Sequence, residues 1–299
     1  MWAGNKIAVV IVTYNRAEIL KDCITSIRLL SVQPDDIIVI NNGSTDNTKD
    51  WLDAQSGLDV TNKNNDGSAG AYYAGIRRAL DIKADYIWLM DDDGIANTDA
   101  LEQLLNAKEI VKDFSFLCSK IISRDDVFMN APAVDNTMSK YNYPVWGQFA
   151  EYAITAVKNA TYISLFINAK NLYTAGLPCR DFYFWADDID FTTRLHKTGP
   201  AFMVGKSIVK HLRANPKTPD ILTETEPRRI ALHFYNIRNT VYLVRRDNST
   251  LFFAKALFFH VKNMLKCFGT TKGAKKAGIY FKGIWAGLFF RPSLENCKA

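Results

Sequence analysis

The sequence predicts an α/β fold in which a mostly parallel central sheet is flanked by helices and followed by a C-terminal helical region. Two β-branched runs, residues 7–12 and 37–40, are separated by apolar positions at helical spacing, which is the β-α-β alternation of a parallel sheet. A third apolar run, residues 86–90, ends abruptly in Asp91, Asp92 and Asp93. These carboxylates follow a buried strand, at the sheet edge where open α/β folds bind ligands.

Hydrophobic periodicity and turn residues place the other elements. Strands are predicted at residues 7–12, 37–40, 58–61, 86–90, 114–118, 121–122 and 161–167. Helices are predicted near residues 19–27, 71–80, 98–110 and 223–246, and one more begins at the acids of residues 187–190. The order is Rossmann-like through residue 122, whereas residues 123–160 show no regular pattern and are expected to be irregular and partly extended.

The composition is that of a globular protein with an uneven distribution of charge. The 299 residues carry a formal net charge of +6, and no Asp or Glu occurs between Asp247 and Glu295. Five scattered cysteines without a C-x-x-C pair indicate reduced thiols in a cytoplasmic protein. The sequence shows no secretory signal and no run of about 20 apolar residues that could span a bilayer.

The acid triplet at residues 91–93 indicates a metal site. Three adjacent carboxylates repel one another, and a divalent cation that prefers hard oxygen ligands, Mg²⁺ or Mn²⁺, keeps them ionised together. The alternative is a solvated acidic turn without a bound ion.

Five motifs follow one another along the chain, at residues 10–16 (VIVTYNR), 41–46 (NNGSTD), 66–70 (DGSAG), 91–93 (DDD) and 185–190 (WADDID). In this order and spacing, over roughly residues 6–213, they resemble the inverting family 2 glycosyltransferases with the GT-A fold. The branch that contains bacterial galactofuranosyltransferases is the most similar, and rhamnosyltransferases are close relatives. The resemblance implies a catalytic domain over residues 1–220 and a helical C-terminal region over residues 221–299.

The resemblance assigns Asp91 and Asp93 to the Mg²⁺ or Mn²⁺ ion, with His211 as a third metal ligand. Asp91 and Asp92 are also expected among the contacts to the nucleotide sugar. When the nucleoside diphosphate departs, negative charge builds on its phosphate, and a cation held by carboxylates stabilises that charge. A lone histidine is more often structural, which is the alternative for His211.

The resemblance also places contacts to the nucleotide sugar on the loops that follow the strands. These candidates are Thr13, Asn15, Arg16, Asp46, Asp66, Gly70 and Trp185. Asp46 fits the cap of the following helix nearly as well, and a loop that contains glycine is weak evidence by itself. Trp185 could stack on a sugar or pack in the core.

Inversion by direct displacement needs one base near the acceptor hydroxyl. The resemblance makes Asp188 that base, with Asp187 positioning the acceptor and Asp190 structural. The alternative is that these acids only complement a helix N-terminus. Farther along the chain, Arg238 and Asn239 either support the active site or the pyrophosphate, or pack in the core of their helix.

The implied function is transfer of a sugar to a surface polysaccharide or lipid-linked glycan. UDP-galactofuranose is the first choice of donor and dTDP-rhamnose the second. A sugar-nucleotidyltransferase is a rival, but the loop at residues 13–16 lacks its glycines. A non-catalytic glycan-binding subunit would not be expected to keep Asp91, Asp93, Asp188 and His211 together.

Residues 251–291 are basic, aromatic and amphipathic, which fits an anionic membrane surface. The protein is therefore expected at the inner face of the cytoplasmic membrane as a peripheral protein. The alternative, which is compatible, is a helical extension that packs on the catalytic domain or on a second copy in a homo-oligomer. Nucleic-acid binding is disfavoured because the basic residues alternate with bulky aliphatic ones.

Overall fold

A mixed ten-stranded sheet forms the centre of the computed structural model, which describes residues 4–213 and 218–295. Its strands are β1 (Ile7–Thr13), β2 (Asp36–Asn42), β3 (Asp59–Lys63), β4 (Tyr86–Asp91), β5 (Gly94–Ala96), β6 (Phe116–Ile122), β7 (Ala133–Val134), β8 (Ile154–Asn159), β9 (Leu165–Asn168) and β10 (Ala201–His211). The helices are α1 (Ala17–Arg28), α2 (Thr48–Asp53), α3 (Gly67–Asp81), α4 (Ala100–Val111), α5 (Leu172–Ala175), α6 (Asp187–His196), α7 (Pro227–Asp247), α8 (Thr250–Cys267) and α9 (Gly273–Phe289).

The strand order confirms the predicted α/β class and adds antiparallel strands. The order is β3-β2-β1-β4-β9-β6-β10-β8-β7, with β5 paired to β10 outside this path. Strands β3, β2, β1 and β4 run parallel, as the Rossmann-like prediction requires. However, β9 lies antiparallel between β4 and β6, so these two strands are not neighbours. Beyond β9, β6 and β10 are again parallel.

Both faces of the sheet are covered, which explains why the central strands read as continuous apolar runs. In β1, Val9 and Ile11 pack in the layer that contains α1 and α4, whereas Ala8 and Val10 pack in the layer that contains α3 and α6. Helix α3 approaches β1 closely at Gly75, where a Cβ atom would lie 2.3 Å from Val10 Cγ1. Polar side chains can therefore gather only at the strand ends and in the loops that follow them.

Two sequence expectations need refinement. The separate strands expected at residues 114–118 and 121–122 form the single strand β6, whose polar Ser119 is buried and lies 2.7 Å from Ser164 Oγ and 2.6 Å from Ser207 Oγ. The region of residues 123–160, expected to be irregular, contains β8, which pairs antiparallel with β10. The pairing between β8 and β10 covers only three residues of each strand, and the apolar signal in the sequence is correspondingly short.

The C-terminal helices α7, α8 and α9 share a core of their own. Helix α9 packs closely on α7 because Gly283 and Gly287 lack side chains at the contact. A Cβ atom at these positions would lie 2.8 Å from Ile237 Cβ and 2.7 Å from Val241 Cβ, respectively. Among the described residues we find no helix that combines the length and the apolar character needed to cross a bilayer.

Candidate active site

The ends of β4 and β10 bring Asp91, Asp93 and His211 together. Strand β5 follows the acid triplet directly and pairs with the end of β10, so that His211 lies opposite Gly94. The backbone N–H of Leu212 also donates to the carbonyl oxygen of Asp93 at 2.8 Å. As a result, one carboxylate oxygen from each acid and one imidazole nitrogen lie within 4.8 Å of one another.

The atoms of this cluster fit a divalent cation. Asp93 is buried, and its Oδ1 accepts no hydrogen bond from the described residues, although His211 Nε2 lies 3.3 Å away. His211 Nδ1 lies 3.1 Å from Asn130 Oδ1, and in the neutral tautomer that donates this hydrogen bond the Nε2 lone pair is directed toward Asp93. Two acceptor atoms that face each other in a buried site favour a cation bound between them.

The other neighbours set the charge of the two acids. The hydroxyl of Tyr72 donates to Asp91 Oδ1 and lies 3.1 Å from the carbonyl oxygen of Met90. Burial, followed by the charge of Asp93, raises the pKa of Asp91. Burial alone would also raise the pKa of Asp93, but His211, in its protonated form, and Arg16 outweigh it and lower that pKa below its usual range.

Asp92 points to the loop after β1 and holds it. Thr13 Oγ1 donates to Asp92 Oδ2 at 2.8 Å, and Arg16 Nη1 donates to Asp92 Oδ1 at 3.1 Å. The same Arg16 nitrogen donates to Asp93 Oδ2 at 2.8 Å. Burial raises the pKa of Asp92 to about 7. Three of the residues predicted to contact the nucleotide sugar, Thr13, Arg16 and Asp92, therefore form one hydrogen-bonded cluster next to the candidate metal ligands.

The remaining loop candidates make local contacts. Asn15 joins the loops after β1 and β2, because its Oδ1 accepts from the backbone N–H of Thr45 at 2.6 Å. Asp46 is exposed and accepts from the backbone N–H of Thr48, the first residue of α2, at 3.0 Å, a contact at the helix start of the kind that the helix-cap alternative expects. Asp66 pairs with Lys63 and packs on Gly70. The predicted contacts of Asn15, Asp46, Asp66 and Gly70 with the nucleotide stay predictions.

Asp187 and Asp188 form the first turn of α6, as predicted. Asp187 is buried, and its Oδ2 has no hydrogen-bond partner among the described residues. Burial and the charge of Asp188 raise the pKa of Asp187 well above its usual range. Burial also raises the pKa of Asp188 to about 6, and the charge of Asp91 adds to both shifts. The two acid groups are therefore close enough to act on one another.

The next acid in the motif has a different environment. Asp190 is buried and pairs with Arg194 and Arg246 through its two oxygens. A carboxylate whose two oxygens are both held by arginines is suited to support α6 and is poorly placed to accept a proton from a substrate.

Comparison with known protein families gives a match over a strand-rich part of the chain. Residues 8–156 match the family model described as glycosyl transferase family 2. The chain carries a family 2 glycosyltransferase domain. The family predicted from the motifs is thus confirmed, and the matched region contains the acid triplet but ends before Asp187, Asp188 and His211.

Curated proteins similar to this chain align with it over short stretches. The galactofuranosyltransferase GlfT1 of Mycolicibacterium smegmatis is 32% identical over 103 residues, which is 33% of this chain and 34% of that protein. The undecaprenyl-phosphate mannosyltransferase of Micrococcus luteus is 34% identical over 108 residues, which is 34% of this chain and 44% of that protein. The chain therefore spans less than half the length of these two relatives.

Solved structures extend the likeness to the fold of most of the chain. The structure of GalNAc-T7 with UDP, GalNAc and Mn²⁺ has a TM-score of 0.57 and 13% identity, over 81% of this chain and 51% of that one. The structure of Staphylococcus aureus TarS residues 1–349 with UDP-GlcNAc has a TM-score of 0.53 and 12% identity, over 95% of this chain and 73% of that one. The GT-A fold predicted for the family 2 domain is confirmed.

Two tyrosines that the sequence does not predict as site residues connect the two acid groups of the site. Tyr72 donates to Asp91, and the hydroxyl of Tyr162 donates to the carbonyl oxygen of Asp187 at 3.2 Å. Their ring centroids lie 4.2 Å apart. In the sequence, Tyr72 is one aromatic residue in an amphipathic helix and Tyr162 precedes an apolar strand, so neither carries a specific signal.

We predict that Tyr72→Phe weakens Mn²⁺ binding by about tenfold, because partners that orient a ligand contribute roughly 10–100-fold to metal affinity. Titration calorimetry with Mn²⁺ alone measures this effect. Tyr73→Phe is the matched control, since the neighbouring hydroxyl contacts Glu295 at the surface. Equal Mn²⁺ affinities for Tyr72→Phe and the wild type would contradict the role of Tyr72.

Proposed function

We propose that the chain is a metal-dependent inverting glycosyltransferase that moves a sugar from a UDP-sugar onto a surface-polysaccharide or lipid-linked glycan. The observation that carries the proposal is the proximity of two acid groups, Asp91 and Asp93 with His211 on one side and Asp187 and Asp188 on the other. Tyr72 and Tyr162, in contact with each other, bridge from Asp91 to the backbone of Asp187. Such an arrangement can stabilise a leaving diphosphate and accept a proton at separate places. Both functions are needed for direct displacement at a sugar.

Asp91, Asp93 and His211 would hold the cation, Mn²⁺ or Mg²⁺. When bound, it supplies electrostatic stabilisation of the charge that develops on the departing diphosphate. Arg16 is half exposed and donates to both Asp92 and Asp93, so it keeps these carboxylates in place beside the site. Thr13 fixes Asp92 in the same way, which keeps the loop after β1 in the position expected for a wall of the nucleotide pocket.

Asp188 would act as the base toward the acceptor hydroxyl. Its pKa of about 6 allows it to be ionised at neutral pH and still to accept a proton effectively. Asp187, whose pKa is raised well above the usual range, is suited to remain protonated and to hold the acceptor by a hydrogen bond. These different environments favour the assignment of separate roles to the two adjacent acids.

The choice of donor rests on similarity. A curated relative is a galactofuranosyltransferase, and two structures with the same fold are complexes with UDP or UDP-GlcNAc. UDP-galactofuranose is accordingly the first donor to test and dTDP-rhamnose the second. The name of another relative, an undecaprenyl-phosphate mannosyltransferase, supports a lipid-linked acceptor.

The acceptor would be reached at an anionic membrane surface, through a face of α8 that we call the basic aromatic face. It consists of exposed residues that recur at helical spacing: Leu251, Phe252, Lys255, Phe258, Phe259, Lys262, Leu265 and Lys266. Phe258 and Leu265 are 72% and 60% exposed, respectively, which is unusual for side chains of this size. Helix α9 exposes three more large apolar residues, Phe281, Trp285 and Phe289.

An anionic lipid surface fits this face better than a second copy of the chain does. Lysines lie among the aromatic residues, and no acidic residue occurs between Asp247 and Glu295 to pair with them along α8. In a two-fold contact through this face, lysines would oppose lysines. On a bilayer, the aromatic rings enter the interface while the ammonium groups meet lipid phosphates.

The proposed function is tested by a screen of nucleotide sugars with and without Mn²⁺. The true donor, at about 100 times its dissociation constant, stabilises the fold by about 2.7 kcal/mol. That corresponds to a rise in melting temperature of several degrees, measured by differential scanning fluorimetry. Asp188→Asn should keep this stabilisation and lose transfer by about 10²–10⁴-fold in a radiolabelled-sugar assay. Transfer that survives EDTA, or a normal rate in Asp188→Asn, would contradict the proposal.

The pH profile of transfer should reflect the raised pKa of Asp188. A base works in its deprotonated form, so kcat/KM should rise with pH through about 6 and level off above it. At pH 5 the rate should be about tenfold below that at pH 7. A base with the ordinary pKa of an aspartate would already be ionised at pH 5, and the rate would then be nearly the same at both pH values. Rates measured at saturating Mn²⁺ at each pH control for loss of the ion. An acidic limb at pH 4 or below would rule out this assignment.

The membrane surface is tested with vesicles that contain phosphatidylglycerol and with neutral phosphatidylcholine vesicles. Lys255→Gln, Lys262→Gln and Lys266→Gln together should weaken sedimentation with anionic vesicles at least tenfold, since each lysine contributes about 1 kcal/mol near such a surface. The control variant carries the same lysine-to-glutamine change at three exposed lysines outside α8, Lys83, Lys112 and Lys170. Equal binding by both triple variants, or a wild-type dimer that forms instead of a vesicle complex, would contradict the proposal.

A further inference from the structure

The loop that leads into α6 has a backbone conformation that its residues do not favour. Tyr183, Trp185 and Ala186 have φ angles of +64°, +62° and +63°, and all three carry a Cβ atom. Positive φ values cost free energy for such residues and persist only where surrounding contacts hold them. Because Asp187 follows directly, this conformation determines where the first turn of α6 begins and where its carboxylates lie.

The contacts that hold the loop come from Asn239 in the middle of α7. The Asn239 side chain is fully buried, and its Nδ2 lies 3.0 Å from the carbonyl oxygen of Phe182, 3.2 Å from that of Phe184 and 2.8 Å from that of Trp185. Its two hydrogens thus serve three acceptors, one of them through a shared bond. These carbonyl groups belong to the segment with positive φ values.

The orientation of the Asn239 amide is fixed by the residue beside it. Arg238 Nε donates to Asn239 Oδ1 at 2.9 Å, so the amide nitrogen must point toward the loop. Arg238 also donates through Nη2 to the carbonyl oxygens of Asp181 and Phe182, at 2.6 and 3.0 Å. Two consecutive residues of α7 therefore bind four carbonyl groups of the loop.

The segment after α9 holds the same loop at a second point. The backbone N–H and the hydroxyl of Ser293 donate to Asp181 Oδ2 at 2.8 and 3.1 Å. The ring of Phe290 packs against Phe182, with centroids 5.8 Å apart. The C-terminal helical region thus contacts the loop both through α7 and through the residues that follow α9.

We propose that Asn239 is a positioning residue, which holds the loop of residues 182–185 so that Asp187 and Asp188 face the acceptor. This inference rests on the proposed function and extends it, because it makes α7 part of the catalytic unit. Asn239 does not touch substrate and acts through the backbone. The competing account is that Asn239 only satisfies buried carbonyl groups and contributes to stability.

The test compares Asn239→Ala with Asn236→Ala, a control on the same helix whose side chain contacts Thr240. Asn239→Ala should lower kcat by about 10²-fold, since a displacement of about 1 Å at reacting groups has that effect. The donor KM and the Mn²⁺-dependent stabilisation by donor should change less than twofold. A parallel loss of donor binding, or an equal loss of kcat in Asn236→Ala, would overturn the positioning role.

A second variant separates positioning from general stability. Glycine adopts positive φ without strain, so Ala186→Gly lets the loop keep its conformation with less support. The double variant Asn239→Ala with Ala186→Gly should regain at least tenfold of the lost kcat. A double variant that is no more active than Asn239→Ala would contradict an action through the loop backbone.

Limited proteolysis gives a readout that does not depend on activity. Chymotrypsin should cleave after Tyr183 or Phe184 faster in Asn239→Ala than in the wild type or Asn236→Ala, because these bonds lie in the loop that Asn239 holds. If the wild type transfers no sugar but cleavage is faster in Asn239→Ala, the proposed function fails while Asn239 still holds the loop. Unchanged cleavage after Tyr183 and Phe184 would overturn the present inference alone.

Discussion

The burial of consecutive carboxylates at the end of β4 is the constraint on which the site depends. Asp92 and Asp93 are only 4% and 5% exposed, and buried carboxylates are unfavourable unless charges or hydrogen bonds compensate them. The compensating groups come from separate elements of the chain. Arg16 belongs to the loop after β1, Tyr72 to α3 and His211 to the end of β10. The fold around the sheet edge is therefore organised to support negative charge.

These partners also distinguish the three acids from one another. The two oxygens of Asp92 accept hydrogen bonds from Thr13, at the end of β1, and from Arg16, in the loop that follows, so this residue is committed to holding that loop. Asp93 keeps one buried oxygen without a hydrogen bond from the described residues, on the side of His211. Alternate acids in a short segment point in different directions, which lets one motif serve both structure and ligand binding. The neutralising groups of Asp92 explain why this acid can be buried beside two others.

The sequence alone predicts the position of the acid triplet because β4 is an apolar run that ends sharply. The parallel order of β3, β2, β1 and β4 also follows from local patterns. The insertion of β9 between β4 and β6 does not, since antiparallel pairing here depends on contacts between distant parts of the chain. For the same reason, only the family resemblance predicts that His211 lies beside the acids.

Residues that support the site from a distance are harder to predict than the acids themselves. Tyr72, Tyr162 and Asn130 acquire their roles from a few contacts with distant parts of the chain, which have no signature in the local sequence. Asp46 shows the opposite case, because its capping contact is local and the sequence already indicated it. Local chemistry can therefore be read from sequence, whereas the choice among buried polar partners requires the packed structure.

The C-terminal helices connect the loop before α6 to the surface of the molecule. Gly283 and Gly287 bring α9 against α7, and the same α7 carries Asn239 under the loop. Helix α8 packs on this pair through its inner side, with Leu257, Met264 and Cys267 in the shared core, and exposes its basic aromatic face on the other. One packed unit therefore supports the acids of α6 and presents the surface proposed to meet lipid. If α8 binds a membrane as proposed, Asp188, the proposed base, would lie at a fixed distance from that membrane, which would suit the proposed lipid-linked acceptor.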